Sequence, residues 1–373
     1  MFKNLPTSHP IKHIDLALLG IVLALAAFGA MLIYSATAHS TGFGTLRTQI
    51  MWIVISSIGF IFMATFDYQK LKTYAGVIYV VCVVLLILVF VIGRVVLGAQ
   101  RWIPLGPFNL QPSELSKLGL VIVLAALLSR KKEGVATNYD MTMALIYTAI
   151  LLLLVFIQPD LGTALVFAAI AVGLLFAAGI NLAYLAGLFA AGIIAIPVAI
   201  KLHILKDYQV KRLLVFIDPT HDPSGAGYNL VQSKIAVGSG EITGRGLFLG
   251  SQTRLNFIPH SHTDFIFSVL GEQLGFVGAL FLLSLFAFLL WRIAVIARNS
   301  RDMFGTLLCV GVLVMIIFQV FVNMGMTIGI MPVTGIPLPL ISYGGSSFLT
   351  TMLGLGLVMN VYMRRYGGKT QAA

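Results

Sequence analysis

The residues best suited to chemistry converge where a polar segment enters an apolar run: His260-Ser261-His262-Thr263-Asp264-Phe265-Ile266-Phe267, with Glu272 two turns on. A carboxylate at such a water–lipid boundary is partly desolvated, which suits Asp264 to act as a general base. The plainer reading is an aspartate that caps the following helix. His260, His262 and Asp264 also alternate as metal ligands, yet no further Cys or His stands nearby to close a zinc site. A loosely held Mg²⁺ or Mn²⁺ shared with a pyrophosphate needs fewer protein ligands.

Ionisable residues inside apolar spans are costly and therefore informative. In Gln111-Pro112-Ser113-Glu114-Leu115-Ser116-Lys117, Glu114 and Lys117 stand three apart on one helix face. They form either a structural ion pair or a substrate-facing lysine steadied by its carboxylate and able to meet a phosphate. Arg101 beside Trp102 reads as an aromatic-belt anchor or as a cation at headgroup level. Asp160, in Gln158-Pro159-Asp160-Leu161-Gly162-Thr163, sits at a helix start, where capping explains it and substrate positioning is a second role. Prolines and paired glycines in Gly335 to Ser347, a segment holding Ser342 and Tyr343, forbid a regular helix. Irregular backbone at membrane depth survives only where it is buried in protein or lines a cavity, so this segment is expected to line the site.

The elements that must position these groups follow from composition. Hydrophobic residues make up 59% of the 373 and charged ones 10%, against about 25% charged in a soluble domain. Apolar runs near 15–35, 48–66, 74–93, 114–129, 141–158, 161–179, 183–203, 265–291, 303–325 and 346–363 predict ten spans. The fold class is therefore an all-α integral membrane protein, ten transmembrane helices with one long ordered extracytoplasmic loop between spans seven and eight. Residues 1–373 form a single polytopic domain, and the loop covers about 204–264. The first run ends in Ala36-Thr37-Ala38, which looks like a signal-peptidase site, but the run is too long for a signal segment and reads as an uncleaved helix.

The net charge of +11 reflects topology rather than nucleic-acid binding. Of 24 Lys and Arg, thirteen fall in the segments that lie inside if the N-terminus is cytoplasmic, and three in the short outside loops. Both termini are thus expected to be cytoplasmic. Cys82 and Cys309 fall within spans and imply no structural disulfide. Within the loop, Lys206 to Ile217 and Tyr228 to Val237 read as short amphipathic helices separated by glycine-rich turns.

Four blocks, Gly98 to Lys117, Gln158 to Thr163, Asp218 to Gly246 with His262 to Gly275, and Asn323 to Ser347, together resemble the SEDS family of bacterial peptidoglycan polymerases along nearly the whole chain. The form Gly335-Ile336-Pro337-Leu338-Pro339 is similar to the elongation branch rather than the division branch. The resemblance implies a ten-helix enzyme of the bacterial cytoplasmic (inner) membrane that joins lipid II disaccharides by β-1,4 bonds and releases undecaprenyl pyrophosphate. It places Asp264 at the family's essential carboxylate and Trp102, Glu114 and Lys117 around its cavity. Its implied partners are a class B penicillin-binding protein transpeptidase and other elongation-complex membrane proteins. Lys211, Arg212, Lys234 and Arg245 offer the cations that a pyrophosphate leaving group needs. The chain departs from the family at His260, where Glu is usual. Two rival functions are a transporter of lipid-linked substrate and a non-catalytic scaffold. A carrier tends to hold its charges near the midplane, whereas Lys117, Asp160, Asp264 and Ser342 all fall at outer span ends.

Overall fold

A computed structural model describes residues 14–39, 42–96, 99–105, 108–130, 137–202, 205, 207–223, 225–255, 257–259 and 261–365. His260 and the charges at Lys3, Lys12, Lys131, Lys132, Lys206 and Lys369 lie outside the described residues. Every one of the ten apolar runs coincides with a helix: α1 (Leu16–Thr37), α2 (Phe43–Thr65), α4 (Ala75–Ile92), α5 (Pro112–Leu128), α6 (Asn138–Ile157), α7 (Leu161–Ala177), α8 (Leu182–Lys201), α12 (Ile266–Arg298), α13 (Met303–Ile328) and α14 (Gly345–Met363). Short helices join them: α3 (Tyr68–Thr73), α9 (Asp207–Ile217), α10 (Ala226–Ser239) and α11 (Ser251–Arg254).

Eight of these helices are long and apolar enough to cross a membrane. The other two of the ten, α5 and α7, have 17 residues each, about 25 Å of helix; α5 is enclosed by its neighbours, whereas α7 leaves Leu165, Val172 and Phe176 exposed. All of α5 except Leu115 is buried. A helix wrapped by protein needs no lipid-matched length, because its neighbours supply its surroundings.

Hydrogen bonds sort the helix ends into two faces. On one face, Asp15, which caps α1, takes Arg292 at 2.6 Å, and Asp302, which caps α13, takes Tyr68 at 2.8 Å. Arg364 at the end of α14 donates to Thr65 O on that face. The first and last described helices therefore begin and end on the same side. The opposite side carries Arg101, Asp160, Asp264 and the 333–344 loop.

Two features escape the apolar pattern. Residues expected as a plain outside loop form an antiparallel sheet in the order β1 (Arg94–Val96), β2 (Ala99–Leu105), β3 (Phe108–Leu110). Arg101 and Trp102 thus ride on a strand. Secondly, α12 is broken at Gly275 (φ 61°, ψ −157°), a backbone region open essentially to glycine alone.

The turn Gly240–Gly246 closes that break. Arg245 N and Gly246 N donate to Glu272 O and Gln273 O, while Phe276 N and Val277 N donate to Glu241 O and Ile242 O, all at 2.9–3.0 Å. The groups freed by the interruption are thereby satisfied, as they must be away from water. A Cβ at Gly275 would press on the backbone of Gly240, Ile242 and Gly244. Gly275→Ala is expected to cost roughly 2–4 kcal/mol from strain and overpacking. Its unfolding midpoint in detergent, compared with wild type, measures this, and an unchanged midpoint would show that the break is dispensable.

The described helices of the 204–264 segment pack against the bundle. Helices α9 and α10 appear close to the expected bounds and share with α12 and α13 a small core that includes Val215, Leu230, Phe265 and Met326. Ser233 on α10 fastens this segment to the bundle, bonding Ser268 Oγ at 2.6 Å and donating to Thr327 O at 2.7 Å.

Candidate active site

The site is assembled on one face of the bundle from β2, the start of α7, α9, the stretch before α12 and the 333–344 loop. From β2, Arg101 donates through Nε to Gln158 O at 3.1 Å and through Nη2 to Pro159 O. Its Nη1 lies 3.7 Å from Asp160 Oδ1. Asp160 caps α7 through Thr163 N and also accepts from Gln111 Nε2 at 3.1 Å and Thr163 Oγ1 at 3.0 Å. Asp160 therefore caps a helix, as expected, and with the same side chain holds the Arg101 cation. Tyr208, at the start of α9, donates to Pro159 O at 2.8 Å, and Arg212 stacks over its ring at 5.8 Å.

Asp264 stands half-buried two residues before α12. It faces Gly335, whose φ of 74° suits glycine. A side chain at Gly335 would begin 3.3 Å from Asp264 Oδ2 and 3.8 Å from Arg212 Nη1. The bare glycine leaves a gap between a carboxylate and a guanidinium, the kind of close approach glycine allows. Arg212 also donates to Thr334 O at 3.3 Å.

Charge is concentrated here. Burial, then the neighbouring Arg101, pushes the Arg212 guanidinium below its ordinary pKa, while Asp264, Tyr208 and Asp160 push it back up. A partly buried guanidinium with a second guanidinium nearby is stabilised by a neighbouring anion. Burial likewise raises the Tyr208 phenol, so it is neutral and a donor at pH 7.

The remaining expected residues divide. Ser342 donates to Thr263 O at 2.6 Å and accepts from Leu338 N at 2.8 Å, so its hydroxyl proton is engaged by backbone rather than offered to a substrate. Tyr343 N donates to His262 O at 2.9 Å and its ring meets the His262 ring edge-on at 5.5 Å. Lys117 pairs with Glu114 at 2.7 Å, with the residues 1% and 3% exposed. Trp102 is half-buried beside Arg101. Lys211 is exposed. Lys234 packs on Gly329, and Arg245 is turned to Ser239 O and Ser251 Oγ, so neither makes a contact with the Asp264 gap. Composition counted the loop's cations alike; the fold brings Arg212 to the carboxylate, with Arg101 of the sheet beside it.

Sequence reasoning passed over Tyr208, Gln111, Gly335 and Asn323 as individual contributors. Only Gly335 carried a signal, as a glycine in an irregular stretch. Among the described residues no group of three His, Cys, Asp or Glu is placed to hold a metal ion.

A family model described as "Cell cycle protein" and covering FtsW, RodA and SpoVE matches residues 15–367. The chain belongs to this FtsW/RodA/SpoVE family. Among its relatives, the peptidoglycan glycosyltransferase MrdB of Escherichia coli K12 is 38% identical over 95% of this chain and 94% of its own length. A solved chain described under structural coordination of polymerization and crosslinking by a peptidoglycan synthase complex superposes with a TM-score of 0.81 at 34% identity, covering 95% of this chain and 98% of that one. The Thermus thermophilus rod shape determining protein RodA, solved as an aspartate-to-alanine variant, superposes at 0.72 with 32% identity, covering 95% and 98%.

Proposed function

We propose that this FtsW/RodA/SpoVE-family chain is a peptidoglycan glycosyltransferase that polymerises lipid II at the outer face of the bacterial cytoplasmic membrane, in cell elongation. The observation that carries the reading is the gap at Gly335, with Asp264 on one side and Arg212 on the other. A base and an anion acceptor a few ångströms apart are what a sugar transfer with a pyrophosphate leaving group requires.

Asp264 takes the proton from the 4-hydroxyl of the acceptor sugar. The oxygen attacks C1 of the donor in line, the new β-1,4 C–O bond forms with inversion, and the C1–O bond to pyrophosphate breaks. Undecaprenyl pyrophosphate leaves carrying the electron pair, and Arg212 and Arg101 receive its charge. Asp160 and Tyr208 keep the two guanidiniums in place. A Mg²⁺ or Mn²⁺ ion would be shared with the substrate's pyrophosphate, which needs few protein ligands, and no step here depends on one.

All ten apolar helices span the membrane in this reading, α5 shielded by its neighbours. Both termini are cytoplasmic, which agrees with Lys70, Lys72, Arg130, Arg298 and Arg364 on the face opposite the site. The 204–264 loop is then extracytoplasmic. A class B penicillin-binding protein, a single-span transpeptidase, is the partner, with other elongation-complex membrane proteins, and the related peptidoglycan synthase complex supports this. Clustering of the charged site at one end of the bundle weighs against a carrier, which holds its charges near the midplane. The purified chain with its transpeptidase partner is expected to convert labelled lipid II into long glycan resolvable on a gel. No glycan from a folded complex, with Mg²⁺ or Mn²⁺ supplied, would move the assignment to transport or scaffolding.

A further inference from the structure

The stretch 262–265 runs through turns before α12 begins at Ile266, so no helical ladder fixes the backbone of Asp264. Three successive carbonyls are instead held from outside the stretch. His262 O accepts from Tyr343 N at 2.9 Å, Thr263 O from Ser342 Oγ at 2.6 Å, and Asp264 O from Asn323 Nδ2 at 2.9 Å. Two of these donors come from the 333–344 loop and the third from the last turns of α13.

Asn323 differs from the other two because it reaches both sides of the gap. Its amide nitrogen also donates to Ile336 O at 2.7 Å, the carbonyl next to Gly335. One –NH₂ group therefore spans from the backbone of Asp264 to the backbone of the glycine that Asp264 faces. The amide can point only this way: reversed, its oxygen would confront two carbonyls. Asn323 is 0% exposed, and its Oδ1 has no hydrogen-bond partner among the described residues. A buried amide left with an unpaired acceptor is a poor choice for packing alone. What it supplies is a fixed distance.

We infer that Asn323, together with Ser342, is a positioning residue that sets the spacing between Asp264 and the Gly335–Arg212 wall. The inference rests on the glycosyltransferase reading above, in which the acceptor hydroxyl must enter that gap. Neither side chain touches substrate; each acts through the backbone. Misplacement of a reacting group by about 1 Å is enough to cost about a hundredfold in rate.

The test is the initial rate of glycan synthesis against lipid II concentration for wild type, Asn323→Ala and Ser342→Ala, each purified with the transpeptidase partner. A kcat lower by about a hundredfold for Asn323→Ala, with KM within about twofold, is expected, and Ser342→Ala is expected to fall in the same direction by less. A raised KM at wild-type kcat would make Asn323 a substrate contact or a general packing residue and overturn the inference. So would an unchanged kcat in both variants. If Asn323→Ala does not yield a monodisperse complex, Ser342→Ala decides alone: unchanged kcat overturns the clamp, and reduced kcat at constant KM supports it. Absence of glycan from wild type would instead remove the glycosyltransferase reading, so the two failures are distinguishable.

Discussion

Asp264→Asn is expected to leave a folded complex that makes no detectable glycan, a loss of about 10²–10⁴-fold for removal of a general base. The substitution keeps size and shape. It also keeps the backbone tie, because Asn323 holds the Asp264 carbonyl oxygen rather than its side chain. What disappears is the negative charge facing Arg212 and, in the proposed mechanism, the acceptor for the sugar's proton. Gel analysis of product from labelled lipid II, with the unfolding midpoint measured on the same preparation, checks both halves. Glycan made within about threefold of wild type would sink the base assignment, and loss of the fold would recast Asp264 as structural.

Lys117→Met is expected to lower stability by about 3–5 kcal/mol, because it strands the Glu114 carboxylate in a fully enclosed position. The double variant Glu114→Leu, Lys117→Met should recover most of that loss, since well-packed apolar residues commonly replace a buried ion pair at little cost. This pair of measurements separates the two roles open for Lys117. A double variant as stable as wild type and fully active would make the pair a staple within the bundle. One that is stable but inactive would mean that the lysine also serves the substrate. A single variant as stable as wild type would show that water reaches Glu114 and that the site is less closed than its burial indicates.

Hydropathy located every helix of the bundle because lipid selects for runs of apolar residues, and such runs are visible without any tertiary knowledge. The α12 break was invisible for the same reason. Gly275 lies between Leu274 and Phe276, and the run reads as continuous; only the docking of 240–246 makes a positive φ necessary there. The sheet over 94–110 was missed because it is a short excursion between spans, where a hydropathy reading sees only a loop. Asp264 could be singled out from its place at the end of a polar loop. Its companions could not be ranked, since Arg212 and Lys234 both sit on amphipathic loop helices and only the fold turns one to Gly335 and the other to Gly329. Asn323 was hidden inside an apolar helix, where a neutral amide looks like an incidental polar residue until its two carbonyl partners, 59 residues before it and 13 after it, are seen.

The interruption at Gly275 bears on how this protein lives in bilayers of unequal thickness. A membrane helix meets a thinner or thicker hydrocarbon layer by changing its tilt. Were α12 one rigid rod, each such tilt would swing the end to which Asp264 is attached. With residues 276–298 covering about 34 Å, the part that must match the lipid ends just below the break. Glu272 and Gln273 are tied instead to the Gly240–Gly246 turn and Asp264 to Asn323, both of which belong to the protein's own scaffold. The same turn also grips Phe276 and Val277 below the break, so the place of Asp264 is set by bonds to the protein scaffold on both sides of Gly275 and not by the direction of one continuous rod.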